Sequence, residues 1–122
     1  MIGYVTLGTN DLPRAAAFYD ALLAVIGGKR LWEFGTGIGW GVSPKQPALG
    51  VMKPYDGNPA TVGNGVMVAL VVDSREKVDA VYKKAMELGA KDEGPAGPRG
   101  DTFYAGYFRD PDGNKLNVFC SG

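Results

Sequence analysis

One pattern limits this chain more than any other: the order strand, helix, strand, strand, strand is written twice, at an offset near 63 residues. In the first copy, Ile2 to Leu7 alternates Val5 and Leu7 with Tyr4 and Thr6, the period-two signature of a half-buried strand. Asn10 and Asp11 supply capping side chains, Pro13 suits a first helical turn, and Ala16, Tyr19, Leu22, Leu23 and Ile26 recur near helical spacing. This predicts a helix over Leu12 to Val25, ended by Gly27 and Gly28. Lys29 to Phe34 and Ile38 to Val42 read as a hairpin turning at Gly35-Thr36, where glycine can take positive φ, and Ala48 to Lys53 reads as a third strand.

In the second copy, Val66 to Val72 is an apolar strand. Asp73 and Ser74 cap the next helix, Asp73 and Glu76 have capping-box spacing, and Val78, Val81, Tyr82, Ala85 and Leu88 form its buried stripe up to Gly89. Lys91 to Glu93, Phe103 to Arg109 and Lys115 to Cys120 complete the set. Tyr4 then aligns with Met67, Asp11 with Ser74, and Tyr19 with Tyr82. The expected fold is α+β: two βαβββ modules forming curled mixed sheets, or cups, with helices on the outside. One domain spans residues 1–122, with module one over about 1–54, a Gly-, Pro- and Asn-rich linker over about 55–65, and module two over about 66–122.

Composition excludes several functions. Thirteen basic and 13 acidic residues cancel, and no run of like charges offers a nucleic-acid footprint. The longest apolar run, Val66 to Val72, is far too short to span a bilayer, and the start Met-Ile-Gly-Tyr-Val lacks the basic and apolar regions of a signal peptide. A cytoplasmic protein is expected. Cys120 is the only cysteine, so no intrachain disulfide forms. There is no histidine, which removes serine–histidine and cysteine–histidine nucleophile chemistry and leaves Cys120 reading as a small buried hydrophobe.

The segment Asn10-Asp-Leu-Pro-Arg-Ala-Ala-Ala-Phe-Tyr-Asp20 resembles the first helix of the vicinal-oxygen-chelate superfamily, which includes glyoxalase I, bleomycin-resistance proteins and extradiol dioxygenases. Tyr104-Ala-Gly-Tyr-Phe-Arg-Asp-Pro-Asp-Gly-Asn114, continuing into Lys-Leu-Asn117, is similar to its C-terminal signature. The resemblance covers essentially the whole chain. Read physically, Phe18 and Tyr19 pin a helix to a sheet, and Asp112-Gly113 or Gly113-Asn114 makes a tight turn. A calcium-loop reading of Asp110 onward fails, because Ser121 stands where a bidentate glutamate is needed.

The resemblance implies metal ligands on the first and fourth strands of each cup. It places them at Tyr4 and Met67, where histidine is usual, at Asn117, where glutamate is usual, and on the strand near Ala48 to Lys53, whose register stays open. No Asp, Glu, His or Cys lies between Phe34 and Tyr55. A phenol, a thioether and an amide are poor ligands for hard cations, so no metal and no cofactor are expected. Alternation puts Tyr4, Thr6, Met67, Ala69, Val71, Lys115, Asn117 and Phe119 inside the cups, with Val5, Leu7, Val68, Leu70, Leu116, Val118 and Cys120 toward the helices.

Across the hairpin, Gly39 should lie opposite Trp32 and Gly37 opposite Phe34. Such a face is either an aromatic covering a thin sheet or a platform for a flat ligand. Arg99, on the Gly94-to-Gly100 loop, could hold a carboxylate or phosphate or simply pair with Asp101, and Tyr104, Tyr107 and Lys53 are further polar candidates near the mouth. The ligand-binding set is therefore Tyr4, Trp32, Met67, Arg99, Tyr104 and Asn117. The expected function is metal-independent binding of a small aromatic molecule, to sequester or sense it. The alternative is a glyoxalase-like lyase or isomerase with an altered site, for which Glu33 is the first candidate acid or base; a subunit with no ligand is the third reading. Whether a reaction is catalysed stays open. The resemblance also implies a homodimer whose cups pair between chains, bringing Tyr4 near Met67.

Overall fold

In the computed structural model, which describes residues 1–122, β1 (Tyr4–Gly8) leads into α1 (Leu12–Ala24), followed by β2 (Lys29–Phe34), β3 (Gly37–Gly41) and β4 (Ala48–Met52). The second module runs β5 (Val68–Val71), α2 (Arg75–Glu87), β6 (Lys91–Pro98), β7 (Phe103–Arg109) and β8 (Lys115–Ser121). The fold is α+β, as the repeat predicts: two four-stranded mixed sheets, ordered β1-β4-β3-β2 and β5-β8-β7-β6. In each, the first strand pairs parallel to the last and the other pairs are antiparallel. No helix is long and apolar enough to cross a membrane.

Helix ends follow local chemistry. The Asp11 side chain accepts the Arg14 amide, and the Ser74 hydroxyl accepts the Lys77 amide, each satisfying an orphan donor of a first turn. Asp73 does not complete a capping box; it pairs with Lys77 instead. Gly27 and Gly89 terminate the helices at φ of 81° and 84°, a backbone region costly for other residues. The Gly35-Thr36 hairpin forms where expected, but Gly35 does not use the left-handed backbone.

One stripe of each helix is buried: Ala15, Ala16, Tyr19, Leu22 and Leu23 on α1, and Val78, Val81 and Ala85 on α2. They pack with Leu7, Trp40, Val51, Phe108, Leu116 and Val118 into a single core that spans both modules. Cys120 is buried in it, as alternation requires.

The turn between β7 and β8 does more than reverse the chain. Asp110 is buried, and its carboxylate accepts the Tyr19 hydroxyl at 2.7 Å, the Asp112 and Asn114 amides at 2.9 Å and Asn114 Nδ2 at 3.0 Å. Burial, then the charge of Asp110, pushes the Tyr19 phenol well above its usual ionisation range. Asp112 accepts from Thr9 Oγ1 and from Arg14, and Asn114 donates to the Gly8 carbonyl. The second module's turn thus clamps the end of β1 and the start of α1, across about a hundred residues of sequence.

At the other end of α1, Asp20 accepts both Arg30 and the Trp40 indole N–H. The Arg30 bond, helped by the Trp40 indole, holds the Asp20 carboxyl below its usual range against the opposing effect of burial. A depressed pKa stabilises the fold above the unfolded value of about 3.9, and that contribution disappears as pH falls through the lower folded value. The stability difference between the native chain and Asp20→Asn should therefore shrink on acidification below about pH 4. Urea melts at successive pH values measure it; a pH-independent difference would exclude this linkage.

Candidate functional site

The helix-free face of the first sheet is built on missing side chains. Gly37, Gly39 and Gly41 alternate along β3, and Gly50 lies beside Gly39 on β4. A β-bulge between Arg30 and Trp32 puts an extra residue into β2. Downstream of it, Trp32 pairs with Gly39 and Phe34 with Gly37, the register expected from the two-residue turn. The Trp32 indole lies across Gly39 and Gly50: a Cβ at Gly39 would overlap the ring, and one at Gly50 would meet it at 2.9 Å. Met52 covers Gly37 and Leu31 covers Gly41. The covering of a glycine-thin sheet by side chains is therefore present as the hairpin register predicts.

Tyr4 stands edge-on to Trp32 with centroids 6.0 Å apart, and Phe34 leans on it at 5.6 Å. Both are about two-thirds exposed, so their rings face open space rather than the core. With Thr6, Met52 and Tyr55 they line a cavity of about 840 Å³. Its rim is the segment between the modules, pinned by a reciprocal pair: Asn10 Oδ1 accepts the Ala60 amide and Asn10 Nδ2 donates to the Ala60 carbonyl. Asn10 holds this rim and leaves the helix cap to Asp11. Trp40 lies on the opposite face, buried against α1.

The second sheet's helix-free face has different chemistry. Phe103 and Phe119 stack with centroids 5.2 Å apart. Asn117 sits beside them on β8, 1% exposed, and its Oδ1 has no hydrogen-bond partner. Further along, Tyr107 pairs with Asn117, and its ring has the Arg99 guanidinium on it at 5.6 Å and the Lys115 ammonium at 5.7 Å.

Tyr104, Met67, Arg99 and Asn117 do not line the first sheet's cavity. Tyr104 is not on the second sheet's helix-free face; it pairs with Cys120 and turns to the helix, donating to Asp79 with Arg75 on its ring. Met67 precedes β5, is 41% exposed and does not line the cavity. Arg99 lies in the bend just past β6, which continues to Pro98, and its guanidinium folds back to donate to the Pro95 and Gly97 carbonyls, not to Asp101. Glu33 pairs with Arg30 and lies opposite the buried Ile38, away from the cavity. Residues that sequence reasoning did not single out are Met52 and Tyr55 as lining, and Gly50 as floor.

A profile of the glyoxalase/bleomycin resistance protein/dioxygenase superfamily matches residues 1–118. The chain belongs to this superfamily. Among solved structures, this superfamily member is similar to a glyoxalase/bleomycin resistance protein from Albidiferax ferrireducens T118, with 34% identity, coverage of 100% and 99% of the two chains and a TM-score of 0.92. It shares the fold of the fosfomycin resistance protein FosX from Listeria monocytogenes, at 17% identity, 100% and 93% coverage and a TM-score of 0.76. It also shares that of a lactoylglutathione lyase from Agrobacterium tumefaciens, at 22% identity, 98% and 92% coverage and a TM-score of 0.71. A comparison with curated proteins gave no match.

The strand registers show which residues pair at the positions where the resemblance implies metal ligands. In the second module, Ala69 on β5 pairs with Asn117 on β8; in the first, the matching pair is Thr6 with Gly50. The strand-four position left open by the sequence is thus Gly50, which has no side chain and whose space the Trp32 ring takes. Tyr4, Gly50, Met67 and Asn117 do not form a ligand set for zinc, nickel, iron or magnesium. No three His, Cys, Asp or Glu side chains gather into a metal-binding group.

Proposed function

We propose that this superfamily member is a cytoplasmic, metal-independent small-molecule-binding protein that sequesters or senses a flat aromatic ligand. The observation that carries the reading is Trp32, whose ring covers Gly39 and Gly50 at the bottom of the Tyr4–Phe34 cavity. An aromatic ligand stacked on such a ring gains about 1–3 kcal/mol from the contact, judged by base stacking on aromatic residues. The cavity volume of about 840 Å³ falls within the range typical of small-molecule pockets.

The working unit in this reading is a homodimer. Both β1 and β5 are sheet edges without a partner strand, and Tyr4, Val5, Val66, Met67 and Val71 along them are exposed. Unpaired apolar edges favour strand-to-strand association. Pairing β1 of one copy with β5 of the other would set the aromatic face of one module against the polar face of its counterpart and bring Tyr4 toward Met67.

Native mass spectrometry of protein prepared without added metal, set against the denatured mass, tests the reading. A dimer carrying an organic adduct is the expected result. A stoichiometric, tightly held divalent metal would overturn the metal-independent reading and reopen lyase or isomerase chemistry.

A further inference from the structure

The second sheet's helix-free face poses a separate question, because it holds a buried polar group that the fold does not use. Asn117 is 1% exposed, and its Oδ1 is the only buried side-chain oxygen or nitrogen without a hydrogen-bond partner. Leaving such an atom unpaired costs stability that an apolar side chain of similar shape would avoid. A ligand hydrogen-bond donor would remove that cost.

The neighbours of Asn117 are ordered along the strands. On one side is the stacked Phe103–Phe119 pair. On the other is Tyr107, flanked by Arg99 and Lys115, neither of which forms an ion pair with a carboxylate. Arg99 is held in place by neutral backbone carbonyls, so its position is set while its charge stays uncompensated. Gly94 and Gly97 make room for this: a Cβ at either would sit 3.3–3.5 Å from the guanidinium nitrogens.

We infer that this face is a half-site for an aromatic carboxylate bearing an N–H or O–H donor. Its ring lies toward Phe119, its donor bonds Asn117 Oδ1, and its carboxylate meets Lys115 and Arg99. The inference rests on the reading of the protein as a small-molecule binder, and it assigns the ligand's charge and polarity.

Hippurate presents a ring, an amide N–H and a carboxylate in that order; hippuramide has the same shape without the charge. Side-chain amide NMR of Asn117 reports on the half-site, and Trp32 fluorescence reports on the other cup. Hippurate should move the Asn117 side-chain resonances and bind at least about tenfold more tightly than hippuramide, with Lys115→Met removing that preference. Asn117→Leu should unfold no more easily than the native chain yet weaken hippurate, since only the ligand uses the amide. Asn117 resonances unmoved by millimolar hippurate, or equal affinity for the two probes, would overturn the half-site. The two cups fail separately. Hippurate moving Asn117 while the neutral probe 2-naphthol leaves Trp32 unquenched supports the half-site and removes the stacking reading. Quenching by 2-naphthol with Asn117 unmoved by hippurate does the reverse.

Discussion

Asp110→Ala should lower unfolding stability by about 2–4 kcal/mol, a large share of the 5–15 kcal/mol that holds an ordinary domain. The carboxylate is buried and accepts four donors, from Tyr19, Asp112 and twice from Asn114. Alanine leaves all four in a space that water enters poorly, and an unpaired buried donor costs more than a made bond returns. The Tyr19 hydroxyl is the most exposed to this loss, because its residue has no solvent contact. Tyr19→Phe in the Asp110→Ala background should therefore recover part of the cost, although Tyr19→Phe alone destabilises. Urea unfolding of the four proteins in a double-mutant cycle measures the coupling. A coupling energy near zero would show that the phenol and carboxylate act independently.

The second large effect is on binding. Gly39→Ala adds one methyl group where the Trp32 ring already lies, so the indole must leave its place on the floor. Overpacking of this kind costs about 1–3 kcal/mol in stability. Loss of the stacking surface should weaken a flat probe such as 2-naphthol by tenfold or more, the equivalent of about 1.4 kcal/mol. Trp32 remains in this variant, so its fluorescence can still report the titration, while Trp40 stays buried on the other face. Gly35→Ala is the matched control: a Cβ there meets nothing within 4 Å, and its backbone is not left-handed, so binding should be unchanged. Equal naphthol affinity in Gly39→Ala and the native chain would exclude the platform.

Legibility in the sequence followed the range of the interactions. The Trp32–Gly39 pairing was readable because a two-residue turn fixes a hairpin's register. The buried stripes of both helices were readable because they repeat locally. The clamp was not: Asp110, Asp112 and Asn114 read as a turn, and nothing local says that the turn reaches Gly8, Thr9, Arg14 and Tyr19. β6 reads as ending at Glu93 in the sequence, because Pro95, Pro98 and three glycines resemble a loop. It is an edge strand with two bulges, where prolines cost no ladder bond. Tyr104 turns to the helix side because it is the antiparallel partner of Cys120, a pairing that depends on the β7–β8 register. The resemblance points to Asn117, but its unpaired oxygen follows only from the neighbouring side chains in the folded sheet.

The glycine floor has a consequence for how such a protein can change its ligand over generations. Gly37, Gly39 and Gly50 are each covered by a side chain that any added atom would evict, so single substitutions there remove the platform rather than reshape it. Tyr4, Phe34 and Tyr55 stand at the rim with most of their surface free, where a new side chain disturbs at most an edge contact with Trp32. Adaptation to new molecules is channelled to the rim, and a library confined to those three positions should yield altered ligand preference with little loss of folded protein.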